Sequence, residues 1–149
     1  MIAVIGARKC DQQIYDIAFQ AGQELARKGH TIICGGLGGV MEAACKGAKS
    51  AGGRTVGILP GIDPADANPF VDIPIATGLG AGRNLIIIHS AQAVLAVDGS
   101  FGTLSELAFA LQLNKPVVGL NTWNVSEKIV SVSSPQEAVE QLTRLIATL

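Results

Sequence analysis

Three stretches of this 149-residue chain concentrate the residue types that hold an anion. Gly99-Ser100-Phe101-Gly102-Thr103 links a buried-looking apolar run to a segment beginning Leu104-Ser105-Glu106, Gly35-Gly36-Leu37-Gly38-Gly39 links another such pair, and Gly6-Ala7-Arg8 follows the first apolar run. Glycine lets a backbone approach a ligand closely. A loop that opens into a helix also presents unsatisfied N–H groups and the positive end of the helix dipole. Phosphate is the anion expected at such a place. The candidate ligand-binding residues are therefore Gly6, Arg8, Gly35, Gly36, Gly38, Gly39, Gly99, Ser100, Phe101, Gly102 and Thr103. Thr103 reads equally as a hydroxyl donor to phosphate or as a helix cap, and Arg8 as a ligand contact or a surface cation.

Two familiar phosphate-binding patterns do not fit these loops. After Gly36-Leu37-Gly38 the third glycine of a dinucleotide fingerprint is replaced by Met41, and no acid stands where a ribose would need one, which disfavours NAD. Lys49-Ser50 follows Gly47-Ala48 inside a helical pattern, so the Walker arrangement of strand, loop and Lys-Ser/Thr is missing too. His30 and His89 lack acidic or cysteine partners at ligand spacing, and Cys10, Cys34 and Cys45 contain no paired C-x-x-C, so no metal site is expected.

The segment Gly99-Ser100-Phe101-Gly102-Thr103-Leu104-Ser105-Glu106 resembles the P-G-G-x-G-T-x-x-E motif of the "lonely guy" family, phosphoribohydrolases once labelled lysine decarboxylases. Their wider Rossmann-like group includes the molybdenum cofactor carrier proteins. Gly35-Gly36 with Gly39-Val40-Met41 is similar to that family's first glycine-rich loop, and Arg83 falls where the hydrolases carry their catalytic Arg. The resemblance covers about residues 1 to 120. It implies Arg83 and Glu106 as catalytic residues in cleavage of the N-glycosidic bond of purine nucleoside 5'-monophosphates, with no required cofactor. For Glu106 the residue itself also reads as a first-turn carboxylate facing the helix dipole, and for Arg83 as a solvated helix start. Four departures stand beside the matches: Asp98 for Pro, Ser100 for the second Gly, Ser105 for an additional Glu, and no third consecutive Gly in the first loop. Gly82-Arg83-Asn84 and Gly39 to Ala44 look more like the small carrier branch, which implies the alternative of a non-enzymatic protein carrying molybdopterin. Asp98 would repel a phosphate, so it either turns away or meets a hydroxyl or amino group.

The elements that position these residues follow from hydropathy. Ile2 to Ile5, His30 to Cys34, Arg54 to Leu59, Ala93 to Val97 and Pro116 to Leu120 read as buried strands, and Val71 to Ile75 as an edge strand because Pro74 forbids a central one. Between them lie helices: one capped by Asp11 and ended by Gly29, then Val40 to Ser50, Gly82 to Gln92, one with the apolar face Leu104, Leu107, Ala108 and Leu111, and a last one signalled by Ser134, Pro135 and Glu137. Asn121 to Ser133 carries no assignment. Alternating strands and helices predict one α/β domain over residues 1–149, a Rossmann-like three-layer sandwich with a mainly parallel sheet. Ligands in such folds sit beyond the carboxyl ends of the strands.

Composition agrees. Apolar residues make up 48% and charged residues 15% with a formal net charge of −1, which suits a packed core and offers no basic footprint for nucleic acid or membrane. An odd cysteine count and the lack of a signal-like or spanning segment predict a cytoplasmic protein. Leu85 to Ile88 are four consecutive apolar residues, more than one core-facing stripe uses. A homodimer or higher homo-oligomer is expected, as the resembling family also implies.

Overall fold

The computed structural model describes residues 1–149 and contains one seven-stranded sheet in which every neighbouring pair is parallel. In chain order the elements are β1 (Ile2–Gly6), α1 (Gln12–Arg27), β2 (Ile32–Cys34), α2 (Val40–Ser50), β3 (Thr55–Leu59), β4 (Ile73–Ala76), α3 (Arg83–Ser90), β5 (Ala93–Val97), α4 (Phe101–Gln112), β6 (Val117–Leu120), β7 (Ile129–Val132) and α5 (Pro135–Ala147). The spatial order is β4-β3-β2-β1-β5-β6-β7. Successive strands step outward from β1 in one direction and then, from β5, in the other. The reversal between β1 and β5 opens the crevice in which doubly wound folds bind ligands.

Strand side chains alternate between two cores. Ile2, Val4, Leu95 and Val97 join α1, α2 and α5 on one face, while Ala3, Ile5, Val94 and Ala96 join α3 and α4 on the other. Both faces of β1 and β5 are thus buried, which is why their sequences are continuous apolar runs. The expected caps form. Asp11 Oδ1 accepts from Ile14 N at 2.9 Å, Gly29 takes φ +80°, and Ser134 Oγ accepts from the N–H of Glu137 at 3.2 Å.

Several boundaries differ from expectation for identifiable reasons. β2 and β3 start at Ile32 and Thr55, and β6 at Val117. β4 begins at Ile73 because Asp72 is tied to Thr55, its N–H bonding the Thr55 hydroxyl and its carboxylate accepting from Thr55 N. Helix α3 spans only Arg83–Ser90, with a 3-10 turn over Gly80–Gly82 before it; Ala91 is already extended, and Gln92 N donates to Met1 O. Strand β7, unassigned from sequence, follows an irregular segment rather than a helix. Its β-branched run Ile129-Val130-Ser131-Val132 was the available signal.

Two corrections matter for the site. Helix α4 starts at Phe101, so Phe101, Gly102 and Thr103 form its first turn rather than a loop. Its buried side is Thr103, Glu106, Leu107 and Ala110, and Ala108 is exposed. The helix is rotated from the orientation that apolarity alone suggests, so that a threonine and a glutamate face inward. In α3, Ile87 and Ile88 are fully buried, while Leu85 and Ile86 are each 36% exposed. No helix is long and apolar enough to cross a membrane.

Candidate functional site

At the carboxyl ends of β1 and β5 a cleft of about 290 Å³ is lined by Gly6, Arg8, Leu37, Met41, Pro60, Ala81, Arg83, Asn84, Ser100, Gly102, Thr103 and Glu106. Of the residues singled out from sequence, Gly6, Arg8, Arg83, Ser100, Gly102, Thr103 and Glu106 come together here, from three separate parts of the chain. Gly35, Gly36, Gly38, Gly39, Gly99 and Phe101 do not line it. Leu37 and Met41 are what the first glycine-rich loop and α2 contribute to the cleft wall.

That loop and the start of α2 each turn a donor inward. Gly36 N–H bonds Cys34 Sγ at 3.3 Å, and Val40 N–H bonds Ala7 O at 3.0 Å. A Cβ on Gly39, whose φ is +61°, would lie 2.3 Å from Ala7 O. This glycine lets α2 start directly against the segment carrying Arg8. Cys34 is fully buried with its sulfur 3.5 Å from Cys45 Sγ, a small apolar filler beneath the loop.

Helix α4 offers the open end. Thr103 Oγ1 accepts from Ser100 N at 3.2 Å, closing the turn from within, and the first helical hydrogen bond runs from Leu104 N to Ser100 O. The N–H groups of Phe101 and Gly102 precede that bond and find no acceptor in a preceding helical turn, while that of Thr103 faces the Ser100 side chain in a capping box. A Cβ built on Gly102 would meet nothing closer than Ser100 Oγ at 3.9 Å, so the space beside this residue is open.

Arg83 is not a solvated helix start. Its Nε donates to Ile58 O at 2.9 Å, one terminal nitrogen reaches Gly35 O at 3.5 Å, and the other bonds Asn84 Oδ1. Burial lowers its pKa, opposed by the nearby carboxyl of Glu106. Arg8, by contrast, is exposed and forms no ion pair.

Glu106 is only 7% exposed. It is not the solvated, dipole-facing first-turn carboxylate read from the sequence, because α4 starts at Phe101 and Glu106 falls in its second turn. Burial pushes its pKa up to about 7, with Arg83 pulling the other way. Loss of hydration outweighs the arginine because the two groups are not within ion-pair distance. The cleft therefore combines two cations, open backbone donors and one carboxyl that holds or releases a proton near neutrality.

Asn84 was missed by sequence reasoning. It is 4% exposed, accepts from Arg83, and donates through Nδ2 to Ser105 Oγ, whose own proton goes to Gly102 O at 2.7 Å. A polar residue directly after a candidate arginine in an otherwise apolar helix was the signal. Asp98 does turn away from the cleft. Its backbone is left-handed at φ +53°, and it lines a separate recess with Gly99, Asn121, Thr122 and Trp123.

Comparison with known proteins bears out the resemblance drawn from the glycine motifs. The profile described as "SLOG cluster4 family" matches residues 1–147. An uncharacterized protein of Archaeoglobus fulgidus is 50% identical over 138 residues, 93% of this chain and 91% of that one. The solved molybdenum cofactor binding protein of the phototrophic bacterium Rippkaea orientalis is 36% identical, with a TM-score of 0.92 over 97% of this chain and 96% of that one. A cytokinin riboside 5'-monophosphate phosphoribohydrolase of Mycobacterium tuberculosis is 29% identical over 123 residues, 74% of this chain and 64% of its own length.

Proposed function

The chain belongs to the SLOG cluster4 family, and we propose that it binds a phosphorylated pterin-type cofactor of the molybdopterin class and carries it without chemical change. The observation that carries this reading is the pairing of Arg83, immobilised on Ile58 O and Gly35 O, with the open first turn of α4 across one cleft. A fixed cation facing free N–H groups is complementary to a phosphate dianion before any ligand arrives. The cofactor-binding relative, similar over nearly the whole of both chains, supports this ligand class over a nucleotide. Arg8, exposed and without a partner, closes on the phosphate from the solvent side.

A second reading has its own support. Glu106 and Arg83 occupy the same cleft, and a buried carboxyl with a pKa of about 7 can hold ribose hydroxyls while stabilising the positive charge that develops as an N-glycosidic bond breaks. Against turnover, Ser105 occupies the position of the hydrolases' additional glutamate, and its hydroxyl is committed to Asn84 and Gly102.

One experiment separates the two. The protein is titrated with a phosphorylated pterin and, in parallel, incubated with AMP, with free adenine measured by chromatography. Carriage predicts saturable pterin binding and no adenine above the blank. Adenine release abolished by Glu106→Gln establishes the hydrolase instead. We further propose self-association through the face bearing Leu85 and Ile86.

A further inference from the structure

A second depression adjoins the cleft where Trp123 meets Ser100 O. There Asp98, Gly99, Asn121, Thr122 and Trp123 line a shallow, open recess of about 260 Å³. Val97 and Leu120 are in register, so Asp98 and Asn121 leave adjacent parallel strands side by side, both left-handed, at φ +53° and +51°. Asp and Asn tolerate that conformation better than most residues. Backbone geometry thus accounts for the residue class but not for a charge. Asp98 engages the chain only through its main chain, N–H to Leu120 O and carbonyl from the Thr122 hydroxyl, which leaves its carboxylate free.

The aromatic residues are distributed unevenly. In a chain with one Trp, one Tyr and four Phe, the tryptophan lines this recess and one phenylalanine stacks on it. Trp123 is locked by its indole N–H, which donates to Ser100 O at 3.0 Å, and Phe101 stacks on it at 6.1 Å between centroids with 25° between planes. Phe101 is nevertheless 81% exposed. A fixed indole that shares the recess with an unpaired carboxylate, extended by a stacked and exposed phenyl ring, is suited to stack a flat polar ring.

The cleft, which Ser100 lines, and the recess, which Gly99 lines, differ in charge. Arg8 and Arg83 attract an anion in the one, whereas Asp98 repels an anion and accepts from N–H groups in the other. We propose that the recess seats a flat heterocycle through adjacent N–H donors, the 2-amino-4-oxopyrimidine edge shared by pterins and guanine, while the phosphate of the same molecule lies in the arginine cleft. A carboxylate matches such a pair of donors with two parallel hydrogen bonds. This assignment rests on the reading of the cleft as a phosphate site.

The test uses calorimetry with GMP, IMP, ribose 5-phosphate and 6-hydroxymethylpterin monophosphate, with fluorescence of the single tryptophan as a local reporter. IMP differs from GMP only in lacking the 2-amino group. GMP is expected to bind about tenfold or more tighter than IMP. Asp98→Asn, which retains a residue suited to the left-handed backbone, abolishes that preference and leaves ribose 5-phosphate affinity unchanged. Phe101→Ala weakens GMP and the pterin but not ribose 5-phosphate. Whichever of GMP and the pterin binds tighter identifies the natural ring. Equal affinities for GMP, IMP and ribose 5-phosphate, or a preference that survives in Asp98→Asn, overturn the recess while sparing the cleft. Failure of every probe to bind overturns both.

Discussion

Asn84 Nδ2 donates to Ser105 Oγ at 3.2 Å, joining the first turn of α3 to the second turn of α4, and Ser105 Oγ in turn donates to Gly102 O in the first turn. The arginine that would hold the phosphate and the turn that would cradle it are thereby fixed relative to each other. Asn84→Ala is expected to destabilise the fold by about 1–3 kcal/mol, because Arg83 and Ser105 each lose a buried partner. Ser105→Ala should cost less, roughly 0.5–1.5 kcal/mol. Urea denaturation measures both, and an Asn84→Ala variant as stable as the parent would remove this link from the account.

Gly102 and Gly39 should respond differently to a methyl group. Gly102→Ala meets only open space, so the melting temperature should stay near that of the parent while inorganic phosphate binding falls by roughly tenfold or more, since the methyl group intrudes where the anion approaches the N–H groups. Gly39→Ala forces a side chain onto Ala7 O at a left-handed φ and should destabilise by about 1–3 kcal/mol. Scanning calorimetry paired with phosphate titration checks both, and unchanged phosphate affinity in Gly102→Ala removes the α4 turn from the site.

Glu106 gives the stability a pH dependence of defined sign. Its pKa is 4.5 for the free side chain and about 7 when folded, so between these values the folded state holds more protons than the unfolded one and stability falls as pH rises. Full ionisation costs on the order of 3 kcal/mol. Glu106→Gln should remove this decline, becoming the more stable protein at pH 8 and losing its advantage near pH 4.5. Denaturation midpoints measured from pH 4.5 to 8 test it; parallel profiles for the two proteins would contradict the burial argument.

Self-association should be sensitive to Leu85 and Ile86 rather than to the two isoleucines that follow them. Ile73 and Ile75, in register with Val56 and Ile58 on the α3 side of the sheet, are also 55% and 45% exposed because α3 is too short to reach β4. Light scattering should give a mass above the 15.3 kDa of one chain. Leu85→Asp or Ile73→Asp should lower it with the fold intact, whereas Ile87→Asp should unfold the chain. A parent mass of one chain refutes the assembly.

Most of the framework was legible because its signals are local. Apolar runs bounded by glycine gave the central strands, and Asp11, Gly29 and the Ser134 turn gave helix ends. The cleft was half legible. Residues adjacent to glycine loops were found, but Asn84, Leu37 and Met41 enter it through tertiary packing. The rotation of α4 was hidden for the same reason. An inward-facing Thr103 and Glu106 contradict the hydrophobic pattern, and such a conflict is expected where function overrides packing. The first glycine loop is less open than its sequence suggests. Its sequence suggests a phosphate cradle, yet its Gly36 N–H serves Cys34, and the N–H of Val40 at the start of α2 serves Ala7.

Pro74 lies in the middle of β4, the strand that ends the sheet on one side. Having no N–H, it interrupts the row of donors that another strand would need in order to add to that edge. The apolar side chains on either side of it can still pack face to face. If copies of the chain associate as proposed, this edge disfavours strand-by-strand polymerisation, and a crowded solution of the protein should yield discrete particles rather than filaments.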